Sequence, residues 1–248
     1  ICLGYAPNSL YLYKASTKVE WDILQAIYDG PFDTVSGKTI PIILQSLPSR
    51  ENGGMKIKKV TAQVGETILD ANGNPTPLTN GTSFLPSGCS SSNCALNWNG
   101  KDTVTLDEVE ITFQLKTGLL WSDGAPLTAE DSYFSFLIAS DPATHIQKNI
   151  LNQIAHYQVL NTSTIQVRLY PGLVPTDVKA YFFSPLPQHA WNNYSASELW
   201  ETSISNETPL GWGAYSIKEW NNESLLLEKN PYYFRASEGL PYFDELEL

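Results

Sequence analysis

The sequence predicts a mixed α/β fold, and three observations lead to this prediction. Residues 109–115 alternate between apolar and polar side chains, which is typical of a strand with one buried face. Thr128 and Asp131 follow a turn and form a capping-box pattern, which predicts the start of a helix. Residues 157–160 and 165–169 flank a polar turn and predict a β-hairpin. The 248 residues allow one large domain or two smaller ones.

The N-terminal part is predicted to form a strand and then a helix. Residues 1–6 have the composition of a strand. Thr17 and Glu20 form a capping box, which predicts a helix start. The apolar residues after Thr17 fall on one helical face: Val19, Ile23, Leu24 and Ile27. An Asp-Gly-Pro sequence at 29–31 is predicted to end this helix.

Residues 49–101 are rich in turn residues and predict a surface hairpin insertion. Two short strands are expected within it, marked by four apolar residues: Ile57, Val60, Val64 and Ile68. Cys89 and Cys94 lie in a polar loop, and we predict that they form a disulfide, which indicates an oxidising compartment. A metal-binding pair is the alternative, but no His lies at ligand spacing. Cys2 is left over and is predicted to be buried in a strand.

The remainder of the chain is predicted to contain short helices and strands. Pro142 ends the helix that begins at Thr128, because proline cannot continue it. The predicted elements that follow are helices at 146–154 and 177–183, a capped helix after Ser195, and strands at 215–220, 225–227 and 245–248.

Composition argues against several functions. The net charge of −11 disfavours nucleic acid and anionic membrane surfaces as partners. No apolar run approaches the roughly 20 residues that span a bilayer. The three histidines are scattered, and no nucleophile-elbow, phosphate-loop or dinucleotide fingerprint occurs. We therefore expect neither a metal site nor a cofactor. The seven Trp and thirteen Tyr suit ligand binding, although such residues also fill β-rich cores.

Two stretches of the sequence carry a family resemblance. Residues 113–131 read Phe-x-Leu-Lys-x-Gly-x-x-Trp-Ser-Asp-Gly-x-Pro-Leu-Thr-Ala-Glu-Asp, and residues 209–220 read Pro-Leu-Gly-Trp-Gly-Ala-Tyr-Ser-Ile-Lys-Glu-Trp. The second stretch is followed by Leu-Glu-Lys-Asn-Pro-Tyr-Tyr at 227–233. This order of motifs resembles the family-5 extracellular solute-binding proteins, the peptide, dipeptide and nickel receptors of ABC importers.

The resemblance implies a fold and a domain organisation. It implies a type II lobe like those of periplasmic binding proteins. In that lobe, residues 1–48 and 180–248 form a discontinuous sheet domain, and residues 49–179 form an inserted α+β subdomain. The second lobe, which closes over the ligand in this family, is expected to be absent from this chain.

The resemblance also implies a function. It predicts an extracytoplasmic bacterial receptor that captures oligopeptides between two lobes, hands them to membrane-embedded ABC permease subunits, and is a monomer without enzymatic activity. The alternative within binding is a non-peptide solute such as a metal chelate or an oligosaccharide. From other classes, the alternatives are a structural surface module or a secreted hydrolase with Asp123, Glu130 and Asp131 as its carboxylates. Their turn and helix-start positions favour structural roles instead.

The candidate ligand-binding residues follow from the resemblance. Gly211, Trp212, Gly213 and Tyr215 correspond to a loop that borders the family's cleft, where glycines let a ligand approach the backbone and present free N–H and C=O groups. The alternative is a bulge with Trp212 in the core. The loop before the first helix adds further candidates: Lys14, Ala15, Ser16 and Thr17. For Thr17, the alternative of a helix cap is favoured.

Overall fold

The computed structural model describes residues 3–221 and 223–248. The prediction for Cys2 lies outside the described residues. The strand predicted at 1–6 is wrong for residues 3–6, which form no strand. Residues 4–6 are exposed and pair with none of the strands given below, so nothing holds them in an extended ladder.

The described residues form thirteen strands and five α-helices. The strands are β1 Phe32–Val35, β2 Lys38–Pro41, β3 Met55–Ala62, β4 Thr67–Leu69, β5 Pro75–Pro77, β6 Ser83–Phe84, β7 Leu96–Asn97, β8 Val104–Gln114, β9 Ile154–Asn161, β10 Thr164–Leu169, β11 Tyr215–Trp220, β12 Leu225–Lys229 and β13 Glu245–Glu247. The helices are α1 Lys18–Ile27, α2 Ala129–Ser140, α3 Gln188–Trp191, α4 Ala196–Glu201 and α5 Ser203–Asn206. The predicted mixed α/β class is confirmed.

The chain divides into two compact units. The terminal unit comprises Ile1–Ser46, Gln114–Ile146 and Ser184–Leu248, and the inserted unit comprises Leu47–Phe113 and Gln147–Phe183. The predicted insertion at 49–179 therefore differs from the observed one, because Gln114–Ile146 lies in the terminal unit. The physical reason is that Phe134 and Ile138 of α2 pack in one core with Tyr11, Trp191 and Leu199 of the terminal unit.

The inserted unit contains a four-stranded sheet in the order β3-β8-β10-β9. One face of this sheet is buried through alternating residues such as Val109 and Ile111 of β8. The other face carries ion pairs, including Lys58 to Glu110 at 3.4 Å and Arg168 to Glu108 at 3.8 Å, as expected for the solvated face of an antiparallel sheet. The predicted hairpin is present as β9 and β10.

Residues 49–101 are not the surface hairpin insertion that the turn residues predicted. β3 pairs antiparallel with β8 along its whole length, from Met55 opposite Ile111 to Ala62 opposite Val104. Val64, expected in a strand, lies in a turn and is 70% exposed. Behind the sheet, the segment contributes most of a second buried core that includes Ile68, Leu78, Phe84, Trp98 and Leu106. Turn residues thus marked the connections of a packed unit, not a surface appendage.

The predicted disulfide is present. Cys89 and Cys94 are bonded, with their Cα atoms 6.0 Å apart. The disulfide closes the loop between β6 and β7, which pair antiparallel.

Two of the predicted short helices are only 3-10 turns, at Leu151–Gln153 and Val178–Tyr181. The first stays short because Ile154 already begins β9.

The terminal unit contains the five helices and the sheet β11-β12-β13, whose neighbouring strands are antiparallel. Both predicted capping boxes of the longer helices are present, at Thr17 for α1 and at Thr128 for α2. The capped helix after Ser195 is present as α4. None of the helices in the part of the chain that the structure describes has the length and apolar composition of a membrane-spanning segment.

Candidate functional site

The Gly-Trp-Gly segment at 211–213 packs against the C-terminal end of α1. The amide N–H of Gly213 donates to the carbonyl of Ile27 at 2.6 Å. A Cβ atom added to Gly213 would lie 2.5 Å from that carbonyl oxygen, and one added to Gly211 would lie 2.1 Å from it. Both positions therefore require glycine because the backbone of another element approaches them closely.

Trp212 is a core residue. It is 1% exposed, and its indole N–H donates to the carbonyl of Asp29 at 3.1 Å. Its ring packs edge-on against Tyr28, with centroids 4.8 Å apart, and against Trp121, with centroids 5.4 Å apart. The structure therefore agrees with the alternative interpretation of Trp212, in which this side chain fills the core.

The backbone groups of the two glycines are bonded within the protein. The carbonyl of Gly211 accepts from the amide of Ser122 at 2.8 Å, and that of Gly213 accepts from the side-chain amide of Asn230 at 2.9 Å. The amide N–H of Gly211 also donates to the hydroxyl of Ser122 at 3.4 Å. The expectation that these glycines present free N–H and C=O groups to a ligand is therefore wrong for both residues. Tyr215 is also largely buried, and its hydroxyl donates to the carbonyl of Phe243 at 3.0 Å.

Ser16 and Thr17 lie at the other end of α1. The helix has ten residues, so this end is about 15 Å from the Gly-Trp-Gly segment. Thr17 is the N-cap, as favoured from the sequence, and its side chain accepts from the amide of Glu20. Ser16 is exposed. The two groups of candidates are therefore not brought together at one point of the terminal unit.

Glu20 organises the N-terminal end of α1. This carboxylate is 1% exposed and accepts backbone N–H groups from two separate segments. One oxygen accepts from Asn8 and Ser9 at 2.9 and 3.3 Å, and the other accepts from Ser16 and Thr17 at 2.8 and 2.9 Å. Burial raises the pKa of Glu20, but these hydrogen bonds outweigh burial and hold the pKa below its ordinary value. Of these four hydrogen bonds, the capping-box pattern indicated only the one from the amide of Thr17.

A second buried carboxylate, Asp131, connects α2 to the start of α3. It is 3% exposed and accepts from the amides of Thr128 and Gln188, at 2.7 and 3.0 Å, and from the indole N–H of Trp121 at 3.3 Å. Burial raises the pKa of Asp131 even though these hydrogen bonds lower it. Because both oxygens accept internal hydrogen bonds, a structural role accounts for this residue better than the hydrolase alternative does.

Asp123 also has a structural partner. Its carboxylate lies 2.8 Å from Nε2 of His189, and both side chains are about one-third exposed. Burial raises the pKa of Asp123, but the hydrogen bonds from His189 and from the amide of Ala125 bring it below its ordinary value. The sequence offered no signal for this pair, because the two residues are 66 positions apart. Among the described residues, no three His, Cys, Asp or Glu side chains cluster so as to hold a metal ion.

Comparison with known proteins identifies relatives of both the sequence and the fold. The family described as bacterial extracellular solute-binding proteins, family 5 Middle, matches residues 93–248. The chain is 28% identical over 219 residues to the periplasmic oligopeptide-binding protein OppA of Salmonella typhimurium, covering 77% of this chain and 35% of that protein. The chain spans about a third of the length of the curated relatives it matches.

Two solved structures have a similar fold. The ABC transporter substrate binding protein CtaP from Listeria monocytogenes has a TM-score of 0.63 at 21% identity, with 99% of this chain and 38% of that chain covered. The oligopeptide binding protein from Thermus thermophilus, complexed with a pentapeptide, has a TM-score of 0.59 at 13% identity, with 92% and 36% covered. The predicted type II fold is confirmed. The chain belongs to the bacterial extracellular solute-binding proteins of family 5.

Proposed function

We propose that this chain is part of the substrate-binding component of an ABC importer, and that its ligand is an oligopeptide. The single observation that carries the proposal is the family match over residues 93–248. The peptide assignment is supported by the name of the OppA relative and by the pentapeptide bound to the structural neighbour from Thermus thermophilus.

Ligand capture of this kind requires no covalent chemistry, so we propose a binding protein and not an enzyme. An extended peptide can pair its main chain with backbone groups of a receptor, which gives affinity for many sequences. Closure of a second lobe by a hinge movement then buries the peptide. That second lobe stays a prediction.

We also propose an extracytoplasmic location, a monomeric state and membrane-embedded permease subunits as the partner. The disulfide between Cys89 and Cys94 supports the location, because such bonds persist in oxidising compartments. The family description, which names extracellular proteins, supports it independently. The net charge of −11 argues against nucleic acid as a partner.

Calorimetric titration with a panel of di- to pentapeptides tests the ligand class. The panel is titrated into the protein at the full length of its natural gene and, in parallel, into the 248-residue chain. We expect tight binding by the full-length protein and much weaker binding by the chain. If no peptide binds to the full-length protein, the peptide assignment is overturned, and metal chelates and oligosaccharides become the ligands to test.

Among the candidate contact residues, we propose Ser16 as a ligand contact, because it is exposed at the N-terminal end of α1. Loss of one neutral hydrogen bond costs about 0.5–1.5 kcal/mol, so Ser16→Ala is expected to weaken peptide binding by up to about tenfold. Ser90→Ala, an exposed serine in the inserted unit, is the matched control. Equal affinities for the two variants would remove Ser16 from the site.

A further inference from the structure

Five segments of the chain have the sequence Asn-X-Ser/Thr, in which the asparagine is the acceptor of N-linked glycans in proteins that leave the cytoplasm. The five asparagines are Asn80, Asn161, Asn193, Asn206 and Asn222. Asn222 lies outside the described residues. For the other four, the structure shows how the side-chain amide, and the hydroxyl two positions later, are used within the protein.

Asn206 is not accessible for modification. It is 7% exposed, its amide nitrogen donates to the carbonyl of Thr202 at 2.7 Å, and its side-chain oxygen accepts from the hydroxyl of Ser9 at 2.7 Å. Because both ends of the amide are bonded in the interior, a sugar on this nitrogen would require the terminal unit to open. Asn206 is therefore an internal negative control.

Asn80 and Asn193 are exposed, but the hydroxyls of their motifs have structural partners. The hydroxyl of Thr82 accepts a backbone N–H at 3.0 Å within a turn. The hydroxyl of Ser195 caps α4, where it donates to the carboxylate of Glu198 at 2.7 Å and accepts from the amide of the same residue at 3.3 Å. These contacts explain both hydroxyls without a glycan.

The motif of Asn161 differs because it forms the tip of a hairpin. Asn161 ends β9, and Thr162 and Ser163 form the turn to β10. The side-chain oxygen of Asn161 accepts from the amide of Ser163 at 3.0 Å and from its hydroxyl at 3.2 Å. Among the described residues, the Ser163 hydroxyl has no other partner and the amide nitrogen Nδ2 of Asn161 has none. The nitrogen that would receive a sugar is therefore not engaged in the fold.

The position also leaves room for a bulky group within the inserted unit. Asn161 is exposed, and β9 is an edge strand of the sheet β3-β8-β10-β9. A glycan at the end of an edge strand does not have to fit between two strands. Glycans are bulky and solubilising, so they belong at a surface tip of this kind and not in a core.

We propose that Asn161 carries an N-linked glycan, transferred from a sugar that is joined to a lipid through phosphate. Nδ2 of Asn161 forms a bond to the anomeric carbon of the sugar. The bond from that carbon to the phosphate oxygen breaks, its electron pair leaves with the lipid phosphate, and the amide gives up one proton to a base of the transferring enzyme. The inference rests on the extracytoplasmic location proposed above, where such motifs are modified.

Mass spectrometry of the full-length protein made by its natural host tests the proposal. Trypsin cuts after Lys148 and Arg168, and the peptide of residues 149–168 contains the motif of Asn161 and no other. We expect a sugar on Asn161 and none on Asn206.

A bare Asn161 in protein recovered from the cell envelope or the medium would overturn the proposal and leave the proposed function standing. Recovery of the protein from the cytoplasm would refute the location and the glycan together. A sugar on Asn206 would contradict the structural selection between the motifs. Peptide binding, measured by calorimetry, decides the proposed function separately.

Variants made in the same host connect the sugar to the motif. Ser163→Ala removes the hydroxyl and is expected to abolish the added mass on the peptide of residues 149–168, whereas Ser163→Thr keeps the motif and should keep the sugar. Thr162→Ala changes the middle position of the same turn and is the matched control, with the modification retained. A sugar that persists in Ser163→Ala, or equal loss in Ser163→Ala and Thr162→Ala, would overturn the assignment.

Discussion

Gly211 and Gly213 have no side chain, and this absence allows their segment to contact another part of the backbone. The family resemblance indicated a loop where backbone approaches a ligand. The backbone that approaches is instead the last turn of α1, through the carbonyl of Ile27. A glycine pattern predicts close approach, but it does not identify the group that approaches.

Replacement of Gly213 by alanine is expected to destabilise the protein by about 1–3 kcal/mol, because the new methyl group overlaps the Ile27 carbonyl and forces the two segments apart. Chemical denaturation measures the change. Gly4→Ala is the control, since nothing lies within 4 Å of a Cβ atom there, and it should change stability by less than about 0.5 kcal/mol. Equal effects of the two substitutions would contradict the packing argument.

Glu20 gives a prediction about pH. Its pKa in the folded protein is below the ordinary value near 4.5 that it has in the unfolded chain. Its contribution to stability is therefore complete above about pH 5 and is lost as the pH falls through the lower, folded-state pKa. At pH 7, Glu20→Gln is expected to cost about 1–3 kcal/mol, because backbone donors lose a charged acceptor.

The free energy of unfolding of wild type and Glu20→Gln, measured from pH 7 down to acid, checks this sign. The difference should be constant near neutrality and should shrink towards low pH. Glu130→Gln, an exposed acid in the first turn of α2, is the control and should differ little from wild type throughout. A Glu20→Gln deficit that grows with acidity would refute the assignment.

At the scale of elements, local signals predicted the termini of helices and the strands with one buried face. The capping boxes at Thr17, Thr128 and Ser195 each begin a helix, and the alternation at 109–115 marks β8. Pairing between distant segments could not be predicted in this way. β3 has no strong alternation, and its place at the edge of the sheet depends on β8, about 50 residues later.

The candidate site was less predictable than the fold, because its contacts also join segments that are distant in sequence. The partners of Trp212, which are Tyr28, Asp29 and Trp121, are 90 or more positions away in sequence. The sequence indicates that the side chain of Asp131 caps a helix. Its hydrogen bond from the amide of Gln188 is known only from the structure. Sequence motifs drew attention to these residues but could not distinguish core packing from ligand contact.

The disulfide gives a prediction for the hairpin of β6 and β7. Cys89 and Cys94 are five positions apart, and a loop of this size corresponds to about 2 kcal/mol in the chain-entropy account. The double variant Cys89→Ser/Cys94→Ser is expected to lose up to this amount in thermal or chemical denaturation, with the fold retained. Hydrogen exchange should become faster at Leu96 and Asn97. An unchanged stability would mean that other contacts alone hold the hairpin.

One such contact comes from Asp107, whose carboxylate accepts from the hydroxyl of Ser87 at 2.6 Å and from the amide of Gly88 at 2.8 Å. Asp107→Asn in the wild-type and in the cysteine-free background therefore completes a double-mutant cycle. Coupling between the two changes would show that the disulfide and Asp107 hold the same loop.

The chain carries a strong negative charge, which disfavours nucleic acid as a partner. With 26 acidic against 15 basic side chains, the chain as a whole repels the phosphates of nucleic acid. We expect no shift of labelled single- or double-stranded DNA by the protein, even at low ionic strength, where electrostatic binding is strongest. Salt-sensitive binding under those conditions would contradict this expectation.

The buried pair Trp121 and Trp212 supplies the molecule with an optical label of its own. The two indole rings are 5.4 Å apart and inclined at 71°, in surroundings without solvent. Aromatic rings held in such a fixed, asymmetric environment give a near-ultraviolet circular dichroism signal, which disappears when packing melts even if helices and strands survive. Circular dichroism in this range therefore reports whether the end of α1 is still packed against Trp212, without any dye or engineered probe.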